Sequence, residues 1–460
     1  MATRQKWMAS LAVLAGIVAI SVVALQPTVA AAPAAGSVQD PARLSLQGQV
    51  PASLTLRDQA AVYNGWLQVR LERILPDLMR QEGINMWLVI CRENNEDPVY
   101  FSLVPFTLLY ASRTSMLVFF DRGAEGIERM TVSRRPIGGL YKSVWDPDKI
   151  DQWVRLAQII KERNPGTIGI DVMEEDGYGD GLTASLKQKL VASLEPDYAA
   201  RLKSAGRLAV RWLERRSPEE LEVYPQVVAI AHAIIAEAFS NRVITPGVTT
   251  TDDVAWWLRE RSRQLGFTNW FQASVNLQRP KDSPYKDSDV IHRGDMLHCD
   301  FGITYLRLNT DTQQLAYVLK DGESDSPKGL KDGLAQGNRL QDILMGEMKT
   351  GRTGNQILAA SLKRATDEGL KPSIYTHPLG VHGHAAGPNF GMWDKQQGVA
   401  VIGDYPLLED TVYSIELNVR ANVPEWGNQE VQFALEQDAS FTRKGAAFLD
   451  KRQTSMILIK

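Results

Sequence analysis

Cysteine is nearly missing from this 460-residue chain, which has only Cys91 and Cys299. Two distant thiols in stretches of different character do not make a disulfide framework, so both are expected to be buried structural thiols. Cys299 adjoins Asp300 in a strand-like run and should point to the other face of that strand. An excess of one charge is also missing: 51 Lys and Arg face 54 Asp and Glu, for a net charge of -3. No long single-sign run occurs, which excludes nucleic acid or an anionic membrane surface as an expected partner. Low-complexity tracts are absent beyond roughly the first 50 residues. The length exceeds one ordinary core and predicts two domains.

The N-terminus differs from the rest. Arg4 and Lys6 precede Trp7 to Leu25, which carries no charge, and small residues follow at Thr28-Val-Ala30 and Val29-Ala-Ala31. This is the layout of a secretory signal peptide, here residues 1–32, with a polar linker over 33–60. Export to the periplasm or the medium is the expectation. An uncleaved anchor is the alternative, since the run is just long enough to span a bilayer. No cysteine lies near it for lipid attachment.

Apolar residues recur at helical spacing from Val62 to Glu82. Ile84–Ile90 and Ser115–Phe120 read as buried strands. Asp146, with Pro147 after it, is expected to cap a helix ending at Asn164-Pro-Gly166; a strand over Thr167–Val172 and a helix over Leu182–Leu194 follow. Alternating helix and strand predicts an α/β domain over 61–212. Ser217-Pro-Glu-Glu220 spells a capping box and opens a helix toward Phe239, placing the second domain at 213–460. That domain holds a weak repeat: Gly247-Val-Thr249 and Gly351-Arg-Thr353 each precede a helix that stops at Gly266 and Gly369. Two such halves predict a pseudo-symmetric α+β unit with a site between them.

Three of the six histidines, His377, His382 and His384, sit within eight residues of one another. Asp300 (HCDFG) and Asp311 (LNTDT) lie upstream on what read as neighbouring strands, with Met296, His298 and Asp300 on one side of the first. Glu416 and Glu436 lie downstream inside apolar strand-like runs. Carboxylates in such runs are costly unless paired or bound to metal. The order Asp, Asp, His, Glu, Glu makes a ligand set for two divalent ions, which can clamp a bridging hydroxide for attack on an amide. Each residue also has a plainer reading. The aspartates could end turns, the histidines could form a surface patch, and Glu416 could alternate outward with Ser414 and Asn418. Glu425 and Glu430 compete with Glu436.

Together these residues resemble the pita-bread metallopeptidases of the aminopeptidase P and prolidase branch. Asp300 and Asp311, with ten residues between them, match that family's first two ligands. His377-Pro-Leu-Gly380-Val-His-Gly-His384 matches its H-x-x-G-x-x-x-H segment, Glu416 its penultimate glutamate, and Glu436-Gln-Asp with Thr442 its last. Arg216-Ser-Pro-Glu-Glu220 and Ile244-Thr-Pro-Gly-Val-Thr249 resemble the start of its catalytic domain and a turn within it. The resemblance implies an α+β pita-bread catalytic domain preceded by an α/β domain, and a dimer. It implies a peptidase acting at the N-terminus of short peptides, including Xaa-Pro bonds, through two ions of Mn, Co, Zn or Fe(II). The ligands would be Asp300, Asp311, His377, Glu416 and Glu436. Glu416 would also move the proton, and His384 would bond the developing oxyanion. Three features depart from the pattern. Gln278–Val290 holds no upstream histidine, Leu417-Asn418 replaces Pro-Gly, and Ala434 replaces an arginine. They leave two alternatives: a binding protein of the same fold without turnover, or another C–N hydrolase.

Overall fold

The computed structural model describes residues 51–460; the expected signal segment and most of the expected linker lie outside the described residues. The linker's last residues are helical instead. Thr55 has an extended backbone and its side chain accepts from the Asp58 amide, so a helix starts at Leu56 rather than Val62. It runs as Leu56–Val69, passes through a wider turn at Arg70–Ile74 and continues as Leu75–Gln81.

The strand Met86–Arg92 lies between Thr114–Asp121, antiparallel, and Ile168–Ile170, parallel, in a six-stranded sheet. Its residues alternate between two cores. Trp87, Val89 and Cys91 pack with Leu67, Leu71 and Leu78, whereas Met86, Leu88 and Ile90 pack with Leu156, Ile159 and Ile160. A sheet covered on both faces explains the unbroken apolar run in the sequence. The helix expected from Asp146 starts later, at Gln152. Asp151 is the cap, accepting from the amides of Trp153 (2.9 Å) and Val154 (3.2 Å). Asp146 instead closes a turn on the Asp148 amide, and Trp145 Nε1 donates to Ile150 O, holding that turn outside the helix. Both cysteines are free and buried, and burial pushes the Cys91 thiol up to about 12. Cys299 faces the core, as expected for the neighbour of Asp300.

The boundary expected between 212 and 213 falls inside the helix Gly206–Glu214. The capping box forms: Ser217 Oγ accepts from the Glu220 amide (3.2 Å), and Glu220 Oε2 accepts from the Ser217 amide (2.6 Å). Glu220 also pairs with buried Arg70 and Arg216 at 2.8 and 3.1 Å. Ser217→Ala is expected to cost about 1 kcal/mol, read as a lower urea midpoint with unchanged slope; an unchanged midpoint would show that Glu220 alone satisfies this helix end. The helix, Pro218–Ala238, is long and apolar enough by length and composition to cross a membrane, but Val227, Ile230, Ala231, Ile234 and Ile235 are buried in the core.

The repeat is structural. Thr250 and Thr353 each form a capping box at the head of Thr251–Gln264 and Gly354–Asp367. Gly266 and Gly369 follow those helices with φ of +87° and +82°, a backbone shape that favours glycine. Each half leads into strands that reach the site. Met296–Phe301 lies between Ser274–Gln278 and Thr312–Val318. His377–Leu379 pairs with Thr411–Ser414, which pairs with Asp438–Thr442. Pro372–Ile374, Leu417–Val423 and Gln429–Leu435 form a third sheet. An isolated bridge between Gln313 and Glu436 ties the first sheet to the turn between Gln429–Leu435 and Asp438–Thr442.

Candidate metal centre

The antiparallel register sets Gln313 opposite Asp300, so Asp311 stands one position before its strand, beside the end of Met296–Phe301. His377 enters opposite Ser414. Glu416 sits in the break between Thr411–Ser414 and Leu417–Val423, its carbonyl accepting from the Tyr375 amide and Thr376 Oγ1. Glu436 sits in the break after Gln429–Leu435, its carbonyl accepting from the Gln313 amide and its carboxylate from Ser414 Oγ. The five expected ligands converge. Donor atoms of Asp300, Asp311 and Glu436 lie within 4.8 Å of one another, as do those of His377, Glu416 and Glu436. Glu436 belongs to both groups.

The donor set fits divalent cations. His377 Nδ1 donates to Pro378 O at 3.0 Å, which fixes the tautomer and leaves the lone pair on Nε2. That Nε2 is buried without a hydrogen-bond partner, 3.5 Å from Asp311 Oδ2 and 3.7 Å from Glu436 Oε1. Oδ1 of Asp300 and Oδ1 of Asp311 are likewise buried without partners. Protons alone hold such a cluster poorly. Burial, then the charge of Glu436, pushes the Asp300 carboxyl up to about 8 and raises Asp311 and Glu416 well above the usual carboxylate range. Buried carboxylates in this number call for a cation.

His384 lies at the open side of the cluster, its ring 4.6 Å from that of His377 and edge-on to it. Trp270 packs against it at 5.2 Å, and Tyr375 OH is 3.4 Å from its Nε2. Burial, then the charge of His377, lowers its pKa to about 4, which keeps it neutral and able to donate one hydrogen bond. His382 turns away, its Nε2 3.2 Å from Pro98 O and its ring against Tyr178. The competing glutamates are elsewhere. Glu425 accepts from the Gly329 amide at a helix start, and Glu430 pairs with Lys371 and Arg420 at the surface.

Several neighbours were given no role from the sequence. Buried Asp438 accepts from the Asp311 amide at 3.3 Å. Gln313 donates to Glu416 Oε1 at 3.1 Å, and His298 lies 2.8 Å from the Gln313 carbonyl oxygen. Strand alternation from Asp300 was the available signal for His298. A cavity of about 810 Å³ opens at Glu416, lined among others by His298, Gln313, Tyr375, Trp393, Asn418 and Ala434.

Residues 223–443 match the family model described as metallopeptidase family M24. That stretch of the chain belongs to this family. No curated protein matches the chain. Among solved structures, the X-Pro aminopeptidase from Thermotoga maritima MSB8 is similar at 18% identity and TM-score 0.59, covering 83% of this chain and 99% of that one. The Xaa-Pro dipeptidase from Bacillus anthracis is similar at 16% identity and TM-score 0.57, covering 87% and 99%. The prolidase from Pyrococcus furiosus is similar at 16% identity and TM-score 0.53, covering 82% and 99%. At these identities the likeness is one of fold. This M24 metallopeptidase has the expected α+β pita-bread fold.

Proposed function

We propose that this metallopeptidase is exported and removes N-terminal residues from short peptides, Xaa-Pro bonds included, using two divalent ions. The observation that carries the reading is the convergence of Asp300, Asp311, His377, Glu416 and Glu436, with donor atoms of Asp300, Asp311 and His377 buried without hydrogen-bond partners. Bound there, the ions would supply Lewis acidity and a nucleophilic water near neutral pH. Asp300, Asp311 and Glu436 would hold one ion, and His377, Glu416 and Glu436 the other. Glu416 faces both the cluster and the cavity, so its carboxylate can take a proton and pass it to the leaving amine. Neutral His384 can donate to the oxygen that gains charge. The cavity has room for the residues beyond the scissile bond, and the printed names of the similar structures support a proline there. The basic and then apolar N-terminus supports export. In this reading residues 61–212 precede a catalytic part at 213–460.

The test is the metal content of the purified chain together with hydrolysis of short peptides with and without proline second, before and after chelation. Bound metal and cleavage lost on chelation are expected. Metal without turnover would give way to a binding role, and cleavage that survives chelation would sink the metal mechanism.

A further inference from the structure

His298 is two positions before Asp300 on Met296–Phe301, so both side chains leave the same face of the strand. Its Nε2 lies 2.8 Å from Gln313 Oε1, and Gln313 Nε2 lies 3.1 Å from Glu416 Oε1. The polarity of this chain of contacts is fixed from its far end. With metal bound Glu416 is ionised and only accepts, so Gln313 turns its NH₂ to Glu416 and its carbonyl to His298, whose Nε2 then carries a proton. Gln313 is held at its backbone too, where its amide donates to Glu436 O at 3.0 Å. The rest of the His298 ring borders two cavities, of about 810 and about 280 Å³, both also lined by Gln432 and Ala434. With alanine at 434, the imidazole and Gln432 are the polar side chains shared by those spaces, and the His298 donor is directed at Gln313.

Glu416 needs such a hold. It lies in a break between strands, is only half-buried, and carries a side chain with several rotors. Gln313 pins one oxygen of a carboxylate that also reaches within 4.8 Å of the His377 and Glu436 donor atoms. We propose that His298 is a positioning residue that acts through Gln313 to orient the Glu416 carboxylate for metal binding and proton transfer. The proposal rests on the metallopeptidase reading given above.

The test uses the full chain and Mn²⁺ alone in calorimetric titration, followed by peptide turnover. His298→Ala and Gln313→Leu should each weaken Mn²⁺ binding about ten-fold and lower kcat by a similar factor, with KM little changed. The double variant should be no worse than Gln313→Leu, because the two residues act along one route. His298→Gln, which returns an N–H donor to nearly the same place, should recover most of the loss; a purely packing role would not give that rescue. Wild-type Mn²⁺ affinity in His298→Ala, or losses that add in the double variant, would overturn the relay alone. Failure of the wild-type chain to bind any Mn²⁺ would overturn the metallopeptidase reading and the relay with it.

Discussion

Asp311→Ala is expected to remove both metal and activity, lowering kcat/KM by about a thousand-fold, or ~4 kcal/mol of transition-state stabilisation. Asp311 has a donor atom within 4.8 Å of those of Asp300 and Glu436 and also of those of His377 and His384, so it is common to two groups that can hold ions. Its backbone amide is already fixed by Asp438 at 3.3 Å, and its Oδ1 has no hydrogen-bond partner. The neighbouring carboxylate of Asp438 is engaged through both oxygens by the Asp311 amide. Glu425 is engaged at a helix start and Glu430 with two cations at the surface. Glu430→Ala, which breaks only exposed ion pairs, should keep full activity and serves as the control. Metal content by atomic emission and steady-state hydrolysis decide the matter. Turnover near the wild-type rate in metal-replete Asp311→Ala would remove this residue from the site.

The cluster of five residues was legible because divalent ions restrict residue type, and carboxylates inside apolar runs stand out from their surroundings. The rest depended on partners that lie far away in sequence. Glu436 outranks Glu430 because Gln313 and Ser414 meet it across sheets, while Glu430 finds Lys371 instead. Asp146 and Asp151 are equally good caps as letters; the Trp145–Ile150 contact and the burial of Leu156, Ile159 and Ile160 select the second. Alternation put His298 on the side of Asp300, but its use depends on the register that places Gln313 opposite Asp300, and that register is set by the whole sheet. The threonine-capped helices and their closing glycines were readable locally, since capping and positive φ are properties of a few consecutive residues.

In the metal-free protein, stability should fall as pH rises from about 4 to about 8, and added metal should abolish the fall. Burial first, then repulsion from Glu436, lifts the Asp300 carboxyl from an ordinary value of 3.8 to about 8. Asp311 and Glu416 move in the same direction for the same reasons. The unfolded chain releases these protons above its ordinary carboxylate range, whereas the folded chain keeps them. More protons are then bound in the native state, so stability is complete below about pH 4 and is lost as pH climbs through the folded values. For His377, burial disfavours the charge, but contact with Glu436 outweighs it and raises the pKa, so its contribution is also lost at higher pH. Divalent ions displace the protons and compete best where the carboxylates are ionised, so their affinity should grow with pH and offset the loss. Thermal midpoints in chelator between about pH 5 and about pH 8 should therefore descend, and those with saturating Mn²⁺ should not. Asp311→Asn removes one buried charge, so without metal it should be more stable than wild type at the upper end of that range, while binding metal worse. A metal-free midpoint that is flat or rises with pH, or an Asp311→Asn midpoint below wild type there, would mean that these carboxylates are not packed against one another in solution.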